Sequence, residues 1–299
     1  MALYGRTCTL VGVKDSKKIT IDGGMRNDGT DGFRVSFNIQ KSGVAINTAE
    51  IKIYNLNKDT LEFFSTKGVQ IEFSAGYIDN KVLIFKGEIV SVLTEKQAPD
   101  HITTINSSSG LTSTKSSFSN TVINKDESVA DAVKKLLKDI TNLETGFVDK
   151  IPECKKWIRS QTISGNTFDI LDRLGTECGF TINVDDDKVE IHKHDYEPKG
   201  KNVIILNSST GLIGIPSSTE IGVDFQALLN PNLVPNKGVQ IESKSYSLGV
   251  SNAGFYDRKL FKDGRYGILT TNFIGDTNGS DWYAKCKTRY WGGVMKWKH

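Results

Sequence analysis

The sequence is poor in proline, methionine and histidine, with 6 Pro, 3 Met and 4 His in 299 residues. It has no apolar run approaching the ~18 residues of a spanning helix, and its mean hydropathy is −0.31. A bilayer-spanning helix is therefore not expected. The opening MALYGRTCTLVGVKDSKK lacks the basic n-region of a secretory signal. Charge of one sign is lacking too: 38 Lys plus Arg face 35 Asp plus Glu, a net +3, which is small for a protein that grips many phosphates. The four cysteines, Cys8, Cys154, Cys178 and Cys286, show no CxxC or CxxxxC spacing, which argues against a zinc site. They read as four buried or half-buried thiols of a protein made in a reducing compartment. GxSxG, GxxxxGK[ST] and the Rossmann fingerprint are all missing.

What is present is glycine, 28 residues of it, with abundant Ser, Thr and Asn, the composition of short strands and tight turns. Period-two alternation marks strands at 32–39, 49–56, 69–77 and 82–92, with a helical turn at 58–64 and Gly87 as a bend or bulge. Strands at this spacing suggest a barrel or sandwich. Residues 103–121, rich in Ser and Thr, read as two strands joined by a turn at Ser109-Gly110.

A helix follows. Val129, Val133, Leu136, Leu137 and Ile140 make one stripe, with Asp126 and Glu127 at its start and Lys134, Lys135 and Lys138 toward its end. A second helix is predicted over 167–178, capped by Asn166 and stopped by Gly179, with Phe168, Leu171, Leu174 and Cys178 buried. The hairpin 180–184, Asp185-Asp186-Asp187, 188–192 comes next. After a connector at 196–201, strands resume at 203–206, 219–225, 238–243 and 265–273, and 282–299 is aromatic and basic. The expected organisation is a β-barrel domain over 1–119, an α+β domain over 120–195 and a second β-barrel domain over 196–299.

Few residues point to chemistry. His192 and His194 would share a strand face and form a candidate metal pair, but Asp195 points the other way and a solvated strand end is the better reading. Asp185, Asp186 and Asp187 lack the ligand spacing of a calcium loop and read as a hairpin tip. Glu50, Glu62, Glu88 and Glu144 are available as paired carboxylates, with nothing to single any of them out. Asp22-Gly23-Gly24 and 27–32 look like a mobile loop. Loop 22–31 and the segment 226–236 are candidate subunit or spike contacts. Lys285, Lys287, Arg289, Tyr290, Trp291, Lys296, Trp297 and Lys298 suit an interface better than nucleic acid.

The most specific wording lies in TGLIGIP at 210–216, Gly222-Val223, LLNP at 228–231, Ile241, Ser243, GRYGI at 264–268, Gly275-Asp276-Thr277 and Trp282. IKIYNL at 51–56, FSAGYIDN at 73–80 and IFKGEIVSV at 84–92 fit the same pattern. In this order the segments resemble the baseplate hub proteins of long-tailed phages, particularly contractile ones. Ser109-Gly110 stands where that pattern would have Asp-Gly, and the final RYWGGVMKWKH matches nothing in it.

The resemblance implies a mainly β chain of two tail-tube-like barrels with a peripheral α+β part. It implies a homotrimer that joins a six-fold tail tube to a three-fold central spike around an axial channel for tape measure and DNA. The implied partners are the tail spike protein, a tail tube or distal tube protein and other baseplate proteins, with genomic DNA only in transit. It implies no enzyme activity, no catalytic residue and no cofactor, and a place in the virion after assembly in the host cytoplasm. Related barrels occur at the head of type VI secretion spikes. A tail-associated cell-wall-degrading enzyme or glycan-binding component is the alternative.

Overall fold

The computed structural model describes residues 5–26, 29–43, 45–194, 203–219, 221–243, 247–248 and 264–290. The expected connector at 196–201, Asp195, residues 27–28 of the expected loop and the end of the chain from Trp291 lie outside these residues.

The chain opens with an antiparallel hairpin, β1 (Arg6–Lys14) and β2 (Lys17–Gly24). Asp22-Gly23-Gly24 is thus strand where the sequence suggested a loop. Its glycine is needed for packing: a Cβ on Gly23 would lie 2.6 Å from Val35 Cγ2 and 2.7 Å from Cys8 Sγ. β3 (Val35–Ser42) and β4 (Thr48–Tyr54) follow, then α1 (Lys58–Phe64), where the sequence predicted a helical turn. The Asn57 side chain accepts the Thr60 backbone N–H to cap α1.

β5 (Gln70–Tyr77), β6 (Asn80–Gln97) and β7 (Asp100–Ser108) complete the N-terminal run. Gly87 is not the bulge. It pairs regularly with Ile71, and the register slips fall beside it, leaving Ile84 and Val90 without partners in the ladder. Gly87 instead lets β7 approach, because a Cβ there would sit 2.6 Å from the Ser108 carbonyl oxygen.

The stretch 103–121 does not form one hairpin. After β7, Leu111–Ser116 winds into α2, and β8 (Phe118–Ile123) pairs with β10 (Gln161–Asn166) rather than with β7. Between β8 and β10 lie α3 (Val129–Lys138) and β9 (Glu144–Val148). Ser128 caps α3 by accepting the Asp131 N–H, so Asp126 and Glu127 precede the helix and Asp131 supplies its first-turn charge. α4 (Thr167–Cys178) is capped by Asn166 and ended by left-handed Gly179, as predicted. It buries Ile170, Leu171, Leu174 and Cys178, while Phe168 is only half-buried. β11 (Phe180–Asp185) and β12 (Lys188–Lys193) form the expected hairpin, and β12 also pairs in parallel with β9.

The C-terminal strands are β13 (Ile204–Leu206), β14 (Leu212–Ser218), β15 (Val223–Leu228), β16 (Gly238–Ile241), β17 (Ser247–Leu248), β18 (Arg265–Asp276) and β19 (Trp282–Tyr290). They join the N-terminal strands in one 14-stranded sheet with the path β17-β14-β15-β19-β18-β3-β4-β7-β6-β5-β1-β2. β13 and β16 attach beside the first part of β18. The central seam pairs Thr270–Asp276 of β18 with Ser36–Ser42 of β3. At the far edge, β2 returns to the segment before β3: Gly24 N–H donates to Phe33 O, and Phe33 N–H donates to Asp22 O.

A single apolar cluster runs through this sheet, from Cys8 and Leu10 to Ala284 and Cys286. Phe37 holds its middle, with Phe73 on one side (ring centroids 4.9 Å apart) and Trp282 on the other (5.4 Å), both edge-to-face. A second cluster, built on Val133, Leu136, Leu171, Leu174 and Ile191, fills the α+β region.

The cysteines depart from the four-thiol expectation. Cys154, in the segment after β9, forms a disulfide with Cys178 at the end of α4, their Cα atoms 5.2 Å apart. Only the fold brings these two together, because 24 positions separate them. Cys8 and Cys286 remain buried thiols, whose burial pushes each pKa up to about 12.

Candidate functional site

The most heavily charged buried feature is the place where the β11–β12 hairpin meets the large sheet. Lys41 on β3 is 3% exposed, a burial that is costly for an ammonium without partners. Its Nζ lies 2.8 Å from Asp185 Oδ1 and 3.3 Å from Asp186 Oδ1, both on the hairpin tip. Asn47, itself 1% exposed, donates from Nδ2 to Asp185 Oδ1 at 2.9 Å. The Lys86 backbone N–H donates to Asp186 Oδ1 at 3.0 Å. Lys86 Nζ reaches Asp187 Oδ2 at 2.6 Å and Glu72 Oε1 at 3.1 Å.

The electrostatics follow from this packing. Burial favours neutral Lys41, but the carboxylates of Asp185 and Asp186 outweigh it and hold the ammonium above the ordinary lysine range. Burial raises Asp186 above the usual carboxylate range, against the pull of Lys41. The three aspartates are therefore more than a solvated turn: they latch the α+β region to β3 and β6. The sequence showed the tip, but not its lysine partners, which are about a hundred or more residues away in the chain.

Beside the latch lies a cleft of about 720 Å³ lined by Glu72, Lys86, Glu88, Glu144 and Asp187. It brings together two of the four candidate glutamates, Glu88 and Glu144. Glu88 is held by Thr112, which donates to it from both its backbone N–H and its hydroxyl. Glu50 lies elsewhere on β4, 3.1 Å from Lys52, and Glu62 sits on α1.

His192 is not at a solvated strand end. It is 4% exposed, its Nε2 lies 2.9 Å from Glu190 Oε2, and its ring stacks on Phe147 with centroids 5.1 Å apart. His194 is exposed beyond the strand, whereas His192 is buried, and the His194 backbone N–H donates to Gly179 O. Among the described residues, no group of three or more His, Cys, Asp or Glu is placed to hold a metal ion.

The segment 226–236 is only partly irregular: Gln226–Leu228 belongs to β15, and Leu229 and Leu233 are buried, which removes them as surface contacts. Lys285, Lys287, Arg289 and Tyr290 lie on the regular strand β19, and the Arg289 guanidinium donates to His194 O. Trp291, Lys296, Trp297, Lys298 and His299 lie outside the described residues. No helix among the described residues is long and apolar enough to cross a membrane.

The large, mainly antiparallel sheet with its small α+β region is a fold shared with solved tail proteins. The chain is similar to the 43 kDa tail protein of prophage MuSo2 from Shewanella oneidensis, at 10% identity and a TM-score of 0.58 over 93% of this chain and 95% of that one. It is likewise similar to the tail protein from Neisseria meningitidis MC58, at 9% identity and a TM-score of 0.59 over 96% and 97%. A third similar structure is the E. coli c3393 protein, a type VI secretion component with structural similarity to T4 tail proteins gp27 and gp5. That match has 11% identity and a TM-score of 0.57 over 86% of this chain and 73% of that one. The family model "Baseplate hub gp41" matches residues 18–246, well over half of the chain. The chain belongs to the baseplate hub gp41 family. No curated protein matches the sequence.

Proposed function

We propose that this baseplate hub protein acts as a homotrimer that joins the six-fold tail tube to the three-fold spike and surrounds the channel for tape measure and DNA. Its partners are the spike, the tube or distal tube protein and other baseplate proteins, and it sits in the virion after assembly in the host cytoplasm. It works without catalysis or a cofactor. Each chain contributes two tube-like barrels, residues 1–119 and 196–299, with residues 120–195 on the periphery.

The observation that carries the reading is the seam between β18 and β3. It sets the N-terminal strands on one side and the C-terminal strands on the other, in one continuous sheet. Such a chain presents two related faces to its neighbours, and three copies present six. The test is native mass spectrometry and electron microscopy of the purified chain with its spike and tube proteins. The reading expects a ring with three times the 33.0 kDa chain mass, seated between tube and spike. A chain that stays monomeric and binds neither partner would overturn it.

A further inference from the structure

The two halves of the Cys154–Cys178 disulfide meet solvent very differently. Cys178 ends α4, is 5% exposed and belongs to the second apolar cluster with Leu171, Leu174 and Phe180. Cys154 lies in the exposed run 153–156 and lines an open groove of about 760 Å³ beside α3, which Cys178 does not line.

Thiol–disulfide exchange begins when a thiolate attacks one sulfur of the bond, in line with it, and the other sulfur leaves. An attack on Cys154 Sγ comes from the side away from Cys178, where the groove is open. An attack on Cys178 Sγ would have to come through the cluster on which α4 packs. Charge does not make this choice, because Glu153 and Glu177 balance Lys155 and Lys156, and Lys155 is paired with Glu177.

The geometry for re-forming the bond is held by other contacts. Ile151 and Trp157, on either side of Cys154, are each 8% exposed and anchor the strap in the second cluster. Asp149 N–H donates to Ile191 O at 2.9 Å, Asp126 N–H donates to Trp157 O at 2.8 Å, and Ser128 and Lys156 form a backbone bridge. α4 has its Asn166 cap and its buried Leu171 and Leu174. None of these contacts involves sulfur, so the two thiols stay close after reduction. The remaining cysteines do not compete: Cys8 and Cys286 are each 1% exposed, and burial keeps both thiols protonated.

We propose that Cys154 is an exchange site for small thiols and disulfides of the glutathione class, which makes Cys154–Cys178 a reversible dithiol–disulfide pair. In the opening direction a thiolate bonds to Cys154 Sγ, the Cys154–Cys178 bond breaks, and its electron pair leaves on Cys178 Sγ, which takes up a proton. A second thiolate attacks the added sulfur and releases Cys154, which is protonated in turn. Two small thiols thus become one small disulfide. The same steps reversed close the pair, with the small disulfide as oxidant. A reducing compartment holds such a pair open and an oxidising one closes it. The site uses no contact of the proposed trimer.

The test treats the full chain with reduced glutathione, quenches it with acid at intervals and maps the adducts by peptide mass spectrometry. A transient glutathione adduct is expected on Cys154, at least about tenfold above any on Cys178, and the preference should vanish in unfolding urea. Glutathione disulfide should then re-form the bond in the reduced chain. With the same reagent, Cys178→Ser is expected to take up glutathione at Cys154 at least about tenfold faster than Cys154→Ser does at Cys178. The trapping experiment needs no variant, so it decides the matter even if Cys178→Ser fails to fold. Adducts shared equally or centred on Cys178 would overturn the proposal. So would a preference that survives urea, a folded chain that does not exchange, or a reduced chain that does not re-form the bond.

Discussion

The two apolar clusters of this chain are assembled over very different distances along the sequence. The large sheet joins its ends: Cys8 and Cys286 share one core, and β18 pairs with β3 across more than two hundred residues. The α+β region draws its core from Ile123 to Ile191, with α3, α4 and the β11–β12 hairpin near one another in sequence. The sheet depends on long-range pairing and gains its seam only when the C-terminal strands arrive. The α+β region depends on helix caps, a short hairpin and one disulfide. Between them stands the latch of Lys41, Lys86 and the three aspartates. The hub thus couples a slow, non-local body to a locally built attachment through a few charged contacts.

The largest effects separate the two cores. Phe73→Ala removes a fully buried ring that packs on Phe37 and is expected to cost about 4 kcal/mol in denaturant unfolding. Hydrogen exchange in that variant should accelerate through β1 and β3–β7 while the α4 amides stay protected. Leu171→Ala, also fully buried, is expected to cost about 3 kcal/mol with the pattern reversed. If either variant loosens both cores equally, the comparison fails.

Reduction of Cys154–Cys178 opens a loop spanning 24 positions and is expected to cost about 3 kcal/mol, confined to the α+β region. Differential scanning of oxidised and reduced chain checks this.

The latch comes next. Lys41→Met leaves Asp185 and Asp186 facing each other without their ammonium. The expected cost is about 2–3 kcal/mol, below that of a fully buried pair because both carboxylates are 29% exposed. The sign of the pH dependence follows from the raised Lys41 pKa: its contribution is complete at neutral pH and is lost as pH rises through that value. Urea titrations at neutral and strongly alkaline pH should therefore converge in the Lys41→Met variant.

The smallest effect is Asp186→Asn. Burial already raises the pKa of this carboxyl, so its charge is unfavourable at neutral pH, and Asn keeps an acceptor for the Lys86 N–H. The variant should stay within about 1 kcal/mol of the parent.

The parts of the fold legible in the sequence are those built from local rules. Alternation marked β3, β4 and β5, the 3.6-residue stripe marked α3, and Asn166 with Gly179 bracketed α4. The misreadings share a cause, which is tertiary contact overriding local composition. Asp22-Gly23-Gly24 reads as a loop until Val35 and Cys8 require a residue without a side chain. Leu111–Ser116 carries strand-like Ser and Thr yet turns into a helix. His192 looked like a solvated strand end because Phe147, which covers it, comes from β9. The candidate site was half legible: Asp185–Asp187 stood out as a tip, but Lys41 lies in an ordinary alternating strand, and nothing local marks it as buried.

In the proposed assembly the large sheet builds the hub while the α+β region stays on its outside. Hydrogen exchange of the chain before and after assembly with spike and tube proteins tests it most directly. New protection is expected in strands of the large sheet, with α4 and the β11–β12 hairpin unchanged. New protection centred on α4 and β11–β12, with the sheet strands unaltered, would contradict it.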